Sequence, residues 1–427
     1  MGFKKIQILF AFTFIQFLAY AQDNLYTSYT TSAKRTELYR KLVTNSINKN
    51  LKLPLVDSTE EKYTDAFSAL ELLKYHSPWV DKKIATIMDS IDSRTRGFKR
   101  SFLELIFANY PGTFALQVQR LTQLKTDTKL FAMAAEYMLM FGRDSSTIPH
   151  IRKMIDEFPP EDAEDIYLDI LRLRLNEYQD SANTYLKQRG FLDIFKRSFL
   201  PAETVVFSFQ RRDRNYPGLL VIRDGDGNYV KDSDGHVFNI PQLARSIANL
   251  PYYITNGNTP QGIFNMHGFD VSKSSFIGPT PNIQLSMPVE MGKRSFFRDS
   301  SRIDTGWVFS DYAQLLPLNV RSYLPLYGAY YAGHAGRTEI ISHGTTIDPE
   351  YYRGQPYYPQ TPSQGCLCAR EVWNGKRLES DQLKLVNALL SIGGAKGYLV
   401  VLELDNKKAP VAFNDVASFI QMAESLK

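Results

Sequence analysis

Cysteine is scarce in this sequence: its 427 residues include two, Cys366 and Cys368. Two thiols so close together cannot link distant loops, so the classes of small secreted protein that depend on a disulfide framework are excluded. The composition, 44% hydrophobic and 22% charged, also excludes a collagen-like or wholly disordered chain. At this length the sequence predicts two or three domains with sizeable cores.

Dense runs of one charge are absent as well. The 50 lysines and arginines slightly outnumber the 45 acidic residues and are spread along the chain, giving a formal net charge of +5. This pattern predicts no nucleic-acid partner and agrees better with an anionic polymer such as cell wall. The six histidines form no HExxH or HxxxH pattern, and we expect neither a metal site nor a cofactor.

The first 21 residues differ from the rest of the chain. Lys4 and Lys5 precede an apolar run over 6–18, and Ala19-Tyr20-Ala21 follows it. A basic start, a short apolar run and small residues at an A-x-A site predict a secretory signal peptide over 1–21. A membrane anchor is the alternative, but the run is shorter than a bilayer requires. We therefore expect an exported protein in the periplasm or cell envelope, with no membrane span after cleavage.

Between about Tyr63 and Leu192 apolar residues recur every three or four positions, and prolines and glycines interrupt the pattern. This periodicity predicts helices of roughly a dozen residues joined by short turns. We predict an all-helical accessory domain over 22–200. Its pattern suggests stacked, solenoid-like helical hairpins, but no fixed-period consensus is present, so a plain helical bundle is favoured over a true repeat array. Its expected role is to bind the wall or a partner protein.

After Pro201 the pattern changes to short β-branched and apolar runs, as at 204–209 and 219–222. Asp224-Gly225-Asp226-Gly227 follows the second run and predicts a hairpin turn rather than a calcium loop. Helices are expected only around 380–391 and 416–425. The predicted fold class is α+β: the helical domain is followed by a mainly β domain over 201–427 with a C-terminal helical extension.

Two short motifs in this second region suggest cysteine chemistry. His343-Gly344-Thr345 ends an apolar strand, and Ser363-Gln364-Gly365-Cys366 follows after a spacer. Nucleophilic catalysis by cysteine needs a thiolate, a base within hydrogen-bond reach, and backbone N–H groups that face the oxyanion. A histidine at a strand end and a cysteine after a glycine turn provide these groups.

The two motifs together resemble the catalytic domain of the L,D-transpeptidases (YkuD type), in which HG, a spacer and SHGC are followed by an arginine two positions after the cysteine. The segment 253–264, which contains Thr259-Pro260-Gln261-Gly262-Ile263-Phe264, is similar to the family's strand, glycine turn and TPxGxF element. The resemblance covers about residues 204–404.

The resemblance implies a cysteine acyltransferase that acts on peptidoglycan stem peptides. Cys366 would attack the carbonyl before the terminal D-alanine, His343 would carry the proton, and backbone N–H groups near Gly365 and Cys366 would hold the oxyanion. Arg370 would lower the thiol pKa or bind a carboxylate. Substrate binding is expected from the residues around the two motifs: Ser363, Gln364, Gly344 and Thr345.

Several positions depart from the family pattern. Gln364 replaces the family's second histidine, and Cys368 stands where the arginine is expected. His267 and His334 are further candidates that could contribute to substrate binding in the cleft. We expect Cys368 to be structural or redox-modulating and to point to the opposite side of the chain from Cys366. The spacer is rich in tyrosine, at 351, 352, 357 and 358, and is expected to form a loop over the cleft.

Two other functions remain open from the sequence. The same fold could use water in place of an amine and act as an L,D-carboxypeptidase or endopeptidase. Alternatively, the departures from the motif could mark a catalytically impaired scaffold that binds the wall.

Overall fold

The computed structural model describes residues 32–123, 127–142, 146–159, 162, 164–179, 191–374 and 377–426. The predicted signal peptide lies outside these residues. Among the helices of the described ranges, none has the length and apolar character needed to cross a bilayer.

The N-terminal region is helical, as the periodicity predicts. Its helices are α1 (Ser32–Lys41), α2 (Glu60–Leu73), α3 (Pro78–Asp89), α4 (Arg96–Asn109), α5 (Ala115–Val118), α6 (Thr128–Phe141), α7 (Thr147–Asp156) and α8 (Ile166–Gln179). Side chains at the N-caps start several of them: the oxygens of Ser77, Thr95 and Asp127 each accept a backbone N–H three residues on. The apolar faces pack into one continuous core.

The C-terminal region is built on an eight-stranded mixed sheet. Its strands are β1 (Thr204–Arg211), β2 (Gly218–Arg223), β3 (Asn239–Gln242), β4 (Gly262–Asp270), β5 (Asn282–Ser286), β6 (Ile341–Gly344), β7 (Leu367–Ala369) and β10 (Lys396–Asp405). Their order in the sheet is β3-β2-β1-β10-β4-β5-β6-β7. β1 pairs with β10 and β6 with β7 in parallel, whereas the other neighbours are antiparallel. A separate hairpin joins β8 (Glu371–Asn374) to β9 (Arg377–Ser380).

Both faces of the sheet are covered, so its central strands are apolar on both sides. In β1, Phe207 belongs to one core and Val206 to the other. The first core also contains α9 (Leu192–Phe195) and α14 (Ala417–Ser425), and the second contains α13 (Asp381–Leu390). The two predicted strands at 204–209 and 219–222, the turn after them, and the two C-terminal helices are confirmed.

The prediction that residues 201–427 hold helices only near the C-terminus is wrong. Three short helices lie between β5 and β6: α10 (Lys293–Phe297), α11 (Phe309–Ala313) and α12 (Gly328–His334). Segments this short are not stable alone and give little periodic signal, so tertiary packing stabilises them. Tyr312 and Tyr327 bury their rings completely in the sheet core, which explains the tyrosine-rich sequence there.

The segment 247–256, between β3 and β4, connects the two regions. Ala248, Leu250, Tyr253 and Ile254 are buried in the core of the N-terminal helices. Polar contacts accompany this packing: the Lys129 ammonium is 2.8 Å from Thr255 Oγ1, and Asn256 Nδ2 is 3.3 Å from Glu104 Oε2. The helices therefore fix the conformation of a loop that connects two strands of the sheet.

At the centre of this junction is the buried carboxylate of Glu136 on α6. Arg174 on α8 forms an ion pair with it, and the hydroxyls of Tyr178 and Tyr253 donate hydrogen bonds to its oxygens at 3.1 and 3.2 Å. Removing one partner of a buried ion pair leaves an uncompensated charge and is strongly destabilising.

We therefore expect Arg174→Met to lower the free energy of unfolding by about 3 kcal/mol. The measurement is urea unfolding followed by circular dichroism. Arg172→Met is the matched control, because Arg172 lies on the same helix and forms a more exposed ion pair with Asp169; we expect it to change stability by less than about 1 kcal/mol. Equal midpoints for the two variants would contradict the importance of this ion pair.

Candidate active site

His343 is the third residue of β6, in register with Cys368 on β7. Its ring is buried, and Nδ1 lies 2.6 Å from the carbonyl oxygen of Gly344. A carbonyl only accepts, so Nδ1 must carry a hydrogen, and Nε2 is the nitrogen left to exchange a proton with a thiol. Gly344 is required here, because a Cβ would lie 2.6 Å from Glu371 Oε2.

Cys366 follows a tight turn that Ser363 stabilises. Ser363 Oγ accepts the backbone N–H groups of Gly365, at 3.2 Å, and Cys366, at 2.8 Å, and donates to the carbonyl of Cys366. Gly365 has φ +113°, and a Cβ there would lie 2.3 Å from the carbonyl oxygen of Gly257. Ser363 thus stabilises the turn that leads to Cys366, and the two backbone amides expected to hold an oxyanion already donate to its hydroxyl.

The surroundings of Cys366 and His343 favour the ionised form of each group, a thiolate and an imidazolium. Burial acts to raise the pKa of Cys366, but a hydrogen bond from His343 and the positive charges of His343 and Arg337 outweigh it, so the pKa is lowered. The pKa of His343 is raised well above its ordinary value, because the charges of the two cysteines and hydrogen bonds to them overcome burial. Opposite shifts of this kind are typical of an activated cysteine.

Arg337, which the sequence analysis did not select, is the arginine beside the thiol. Its guanidinium is buried, with Nη1 2.7 Å from the carbonyl oxygen of Asn258 and Nη2 3.0 Å from that of Gly257. Burial lowers the pKa of Arg337 to about 10, and the charge of Cys366 opposes this shift. Arg370, the expected residue, instead pairs with Glu379 at 3.3 Å and does not line the cleft. Its backbone leads out of β7 into the β8–β9 hairpin, which turns the side chain away.

Cys368 is fully buried, and its Sγ lies 3.7 Å from His343 Nε2. The expectation that it points away from Cys366 is wrong, since both thiols interact with the same imidazole. Alternate residues of an extended segment share one face, which accounts for this arrangement. Cys368 packs with Leu243, Tyr352 and Tyr357 in a small core. Tyr352 and Tyr357 are therefore buried against Cys368 and do not line the cleft, whereas the sequence analysis expected them to cover it.

The thiol of Cys366 opens into a cleft of about 370 Å³ between the two regions of the chain. From the sheet region the lining includes His343, Thr345, Ser363, Gln364 and Cys366; from the helices it includes Leu42, Asp65, Ser68, Glu71, Leu72 and Glu104. The helical wall could not be predicted from the sequence, because no local pattern indicates which helix face contacts a site more than 200 residues away.

The other histidine candidates lie outside the cleft lining. His267 is exposed on β4, and its Nε2 is 3.1 Å from Ser286 Oγ. His334 is exposed at the end of α12 and packs on the ring of Tyr330, with ring centroids 4.5 Å apart. These placements give neither residue a direct role beside Cys366.

One group of metal-ligand types occurs among the described residues, formed by Asp232, Asp234 and His236. All three are exposed, and Asp232 Oδ1 accepts the backbone N–H groups of Asp234 and His236 at 3.0 Å. These bonds are those of a polar turn.

Comparison with protein-family models, with curated proteins and with solved structures finds no match to this chain. The likeness to L,D-transpeptidases therefore depends on the two motifs and the 253–264 segment alone.

The opposite pKa shifts give a test of the pair. We expect iodoacetamide to alkylate Cys366 and spare the buried Cys368, with a rate that rises through a pKa below the ordinary thiol value of 9.0. His343→Ala removes the hydrogen bond and charge that lower this pKa, so the midpoint should move up. The rate is measured against pH, with the site assigned by peptide mass spectrometry. A wild-type midpoint at the ordinary value would contradict the pairing.

Substitution of Arg337 and Arg370 gives a second test. Arg337→Met should slow alkylation of Cys366 near neutral pH by roughly threefold, which corresponds to a pKa about half a unit higher. Arg337→Lys keeps the charge and should retain most of the rate, and thermal melting shows that each variant is folded. Arg370→Met is the matched control, because its guanidinium faces Glu379. If Arg370→Met had the larger effect, our assignment of Arg337 would be overturned.

Proposed function

We propose that this protein is an exported cysteine acyltransferase of the cell envelope that acts on peptidoglycan stem peptides, as L,D-transpeptidases do. The observation that carries the proposal is that Cys366 and His343 line the same cleft. The opposite shifts of their pKa values support it. Residues 201–427 form the catalytic domain in this proposal, and 22–200 the accessory domain. Residues 191–199, which pack on the sheet, belong structurally with the catalytic part.

In the first step the Cys366 thiolate attacks the carbonyl carbon that joins the third stem residue to the terminal D-alanine. The C–N bond breaks, and the leaving amine takes a proton from the Nε2 of the His343 imidazolium. A thioester on Cys366 and free D-alanine result.

In the second step an amine of another stem attacks the thioester. His343 Nε2 accepts the proton of this amine, the C–S bond breaks, and a 3-3 cross-link forms while the thiolate and the imidazolium return to their starting state. If water attacks in place of the amine, the product is a trimmed tripeptide. No metal or cofactor takes part.

The oxyanion of both steps needs donors. In this conformation the N–H groups of Gly365 and Cys366 donate to Ser363 Oγ. The side chains of Gln364 and Asn256 line the same cleft, and their amide groups are donors of suitable chemistry. We assign oxyanion stabilisation to the side-chain amides of Gln364 and Asn256, because the two backbone N–H groups already donate to Ser363. Gln364 can thus contribute at the position where the family has histidine.

The proposal is tested with disaccharide-tetrapeptide muropeptides and the mature protein, reading protein mass and soluble products by mass spectrometry. We expect an acyl adduct lacking one D-alanine on Cys366, together with 3-3 dimers. Cys366→Ala should give neither, and His343→Ala should reduce turnover by at least about a hundredfold.

Cys368→Ala is the matched control, because it removes the other thiol and leaves Cys366 in place; it should retain adduct formation. An adduct with tripeptide alone would identify a hydrolase in place of a transpeptidase. A folded wild-type protein that gives neither adduct nor product would refute the proposal and favour the wall-binding scaffold.

A further inference from the structure

The charged side chains that line the cleft are strongly biased toward one sign. Asp65 and Glu71 on α2 and Glu104 on α4 line it, and no lysine or arginine does so among the described residues. On the sheet side the ionisable lining groups are His343 and Cys366. One wall of the cleft is therefore acidic, and the opposite wall contains the reactive pair.

Glu71 is the key residue of this wall. Its side chain is about nine-tenths buried, lines the cleft, and makes no hydrogen bond or ion pair with any described residue. Burial and the neighbouring charge of Glu104 raise its pKa well above the ordinary value, and the opposing charge of Lys74 does not offset them. Burial without a partner disfavours the ionised form of this carboxyl group, and an ammonium ion that enters the cleft would stabilise that form through a strong charge-assisted hydrogen bond.

The protein's own cations near Glu71 have other partners. The Lys74 ammonium, one turn further along the chain, lies 2.6 Å from the carbonyl oxygen of Ala108 and 3.4 Å from that of Ile247. Arg100 is engaged with Glu104 Oε1 at 3.0 Å. Glu104 Oε2 accepts from Asn256. Asp65 is exposed to solvent, so these contacts leave Glu71 as the buried acceptor that a ligand can satisfy.

We propose that the helical region forms part of the active site and binds a primary ammonium group of the substrate, with Glu71 as the residue that determines this specificity. The inference builds on the proposed function, since the ammonium would belong to a stem peptide. Two sources carry it: the side-chain amine of the donor stem's third residue, and the amine of the acceptor stem. The acceptor amine would have to lose one proton from its ammonium form before it attacks the thioester. In both cases the helical region selects the substrate while Cys366 and His343 perform the reaction.

The first experiment does not depend on turnover. Cys366 is modified with three methanethiosulfonate reagents: the cationic 2-aminoethyl, the neutral methyl and the anionic 2-sulfonatoethyl compound. In wild type we expect the cationic reagent to react fastest once its rate is divided by that with free cysteine. Glu71→Gln should reduce the cation-to-neutral ratio by about tenfold, as expected for the loss of one charge-assisted hydrogen bond.

Glu61→Gln is the matched control, because Glu61 is an exposed acid on the same helix and does not line the cleft. It should leave the ratio unchanged. Glu71→Gln is nearly isosteric and removes a carboxyl group whose ionised form is disfavoured by burial, so we expect an equal or higher melting temperature, which shows that the variant is folded. Identical ratios in wild type and Glu71→Gln would overturn the proposal.

The second experiment identifies the source of the ammonium group. Donor tetrapeptides are compared with their side-chain amine free or acetylated, with acylation of Cys366 followed by mass. If the donor amine binds at Glu71, acetylation should slow acylation of wild type by about tenfold and have little effect on Glu71→Gln. If the acceptor amine binds there, acylation should be equal and dimer formation alone should fall in Glu71→Gln.

The two proposals fail in different ways. Selectivity for the cationic reagent that depends on Glu71, without any acylation by muropeptides, would retain the ammonium site and refute the peptidoglycan reaction. Acylation and dimer formation that do not respond to Glu71→Gln would retain the reaction and refute the ammonium site.

Discussion

The buried guanidinium of Arg337 connects the parts of this site. It donates to the backbone carbonyls of Tyr252, Gly257 and Asn258, in the loop that joins the helical core to β4. Gly365 packs against the same group, because a Cβ there would lie 2.4 Å from Arg337 Nη2. A buried cation is tolerated only when its donors are satisfied, so the loop at 252–258 and the turn at 363–366 must both pack closely around Arg337.

Arg337 also places a positive charge beside the thiol of Cys366. The donors of Arg337 are largely used by neutral carbonyls, so its positive charge remains available to stabilise the thiolate of Cys366. An arginine two positions after the cysteine would have supplied this charge from β7. Here the charge comes from Arg337, in the segment that follows α12. Arg370 instead pairs with Glu379.

The parts of the structure with strong local signals could be predicted from the sequence. The α2 and α6 helices, the β1 and β2 strands and the turn after them follow from apolar spacing and glycine position. The residues His343 and Cys366 could be selected because they lie in two short motifs whose order resembles that of the L,D-transpeptidases. The α10–α12 helices could not, because each is too short for a periodic pattern and depends on rings such as Tyr312 for its burial.

Contacts between distant segments could not be predicted at all. Arg337 shows no motif in the sequence, and its role follows from where α12 ends relative to the loop at 252–258. Glu71 reads as one of several acids on a helix, and only its burial without a partner distinguishes it from Glu61. Local sequence determines helices and strands, whereas the function of a charged side chain depends on the groups that the fold brings next to it.

The shared core argues that the two regions work as one unit. Leu250, Tyr253 and Ile254 belong to the sheet region by sequence but are buried among the N-terminal helices. A chain cut between the regions would expose these apolar side chains and the Glu136 ion pair to water, and the loop that carries Asn256 would lose its support. The cleft wall formed by α2 would be lost with it. The helical region is therefore a structural part of the cleft beside Cys366, and both walls of that cleft depend on the same packing between the helices and the segment 247–256.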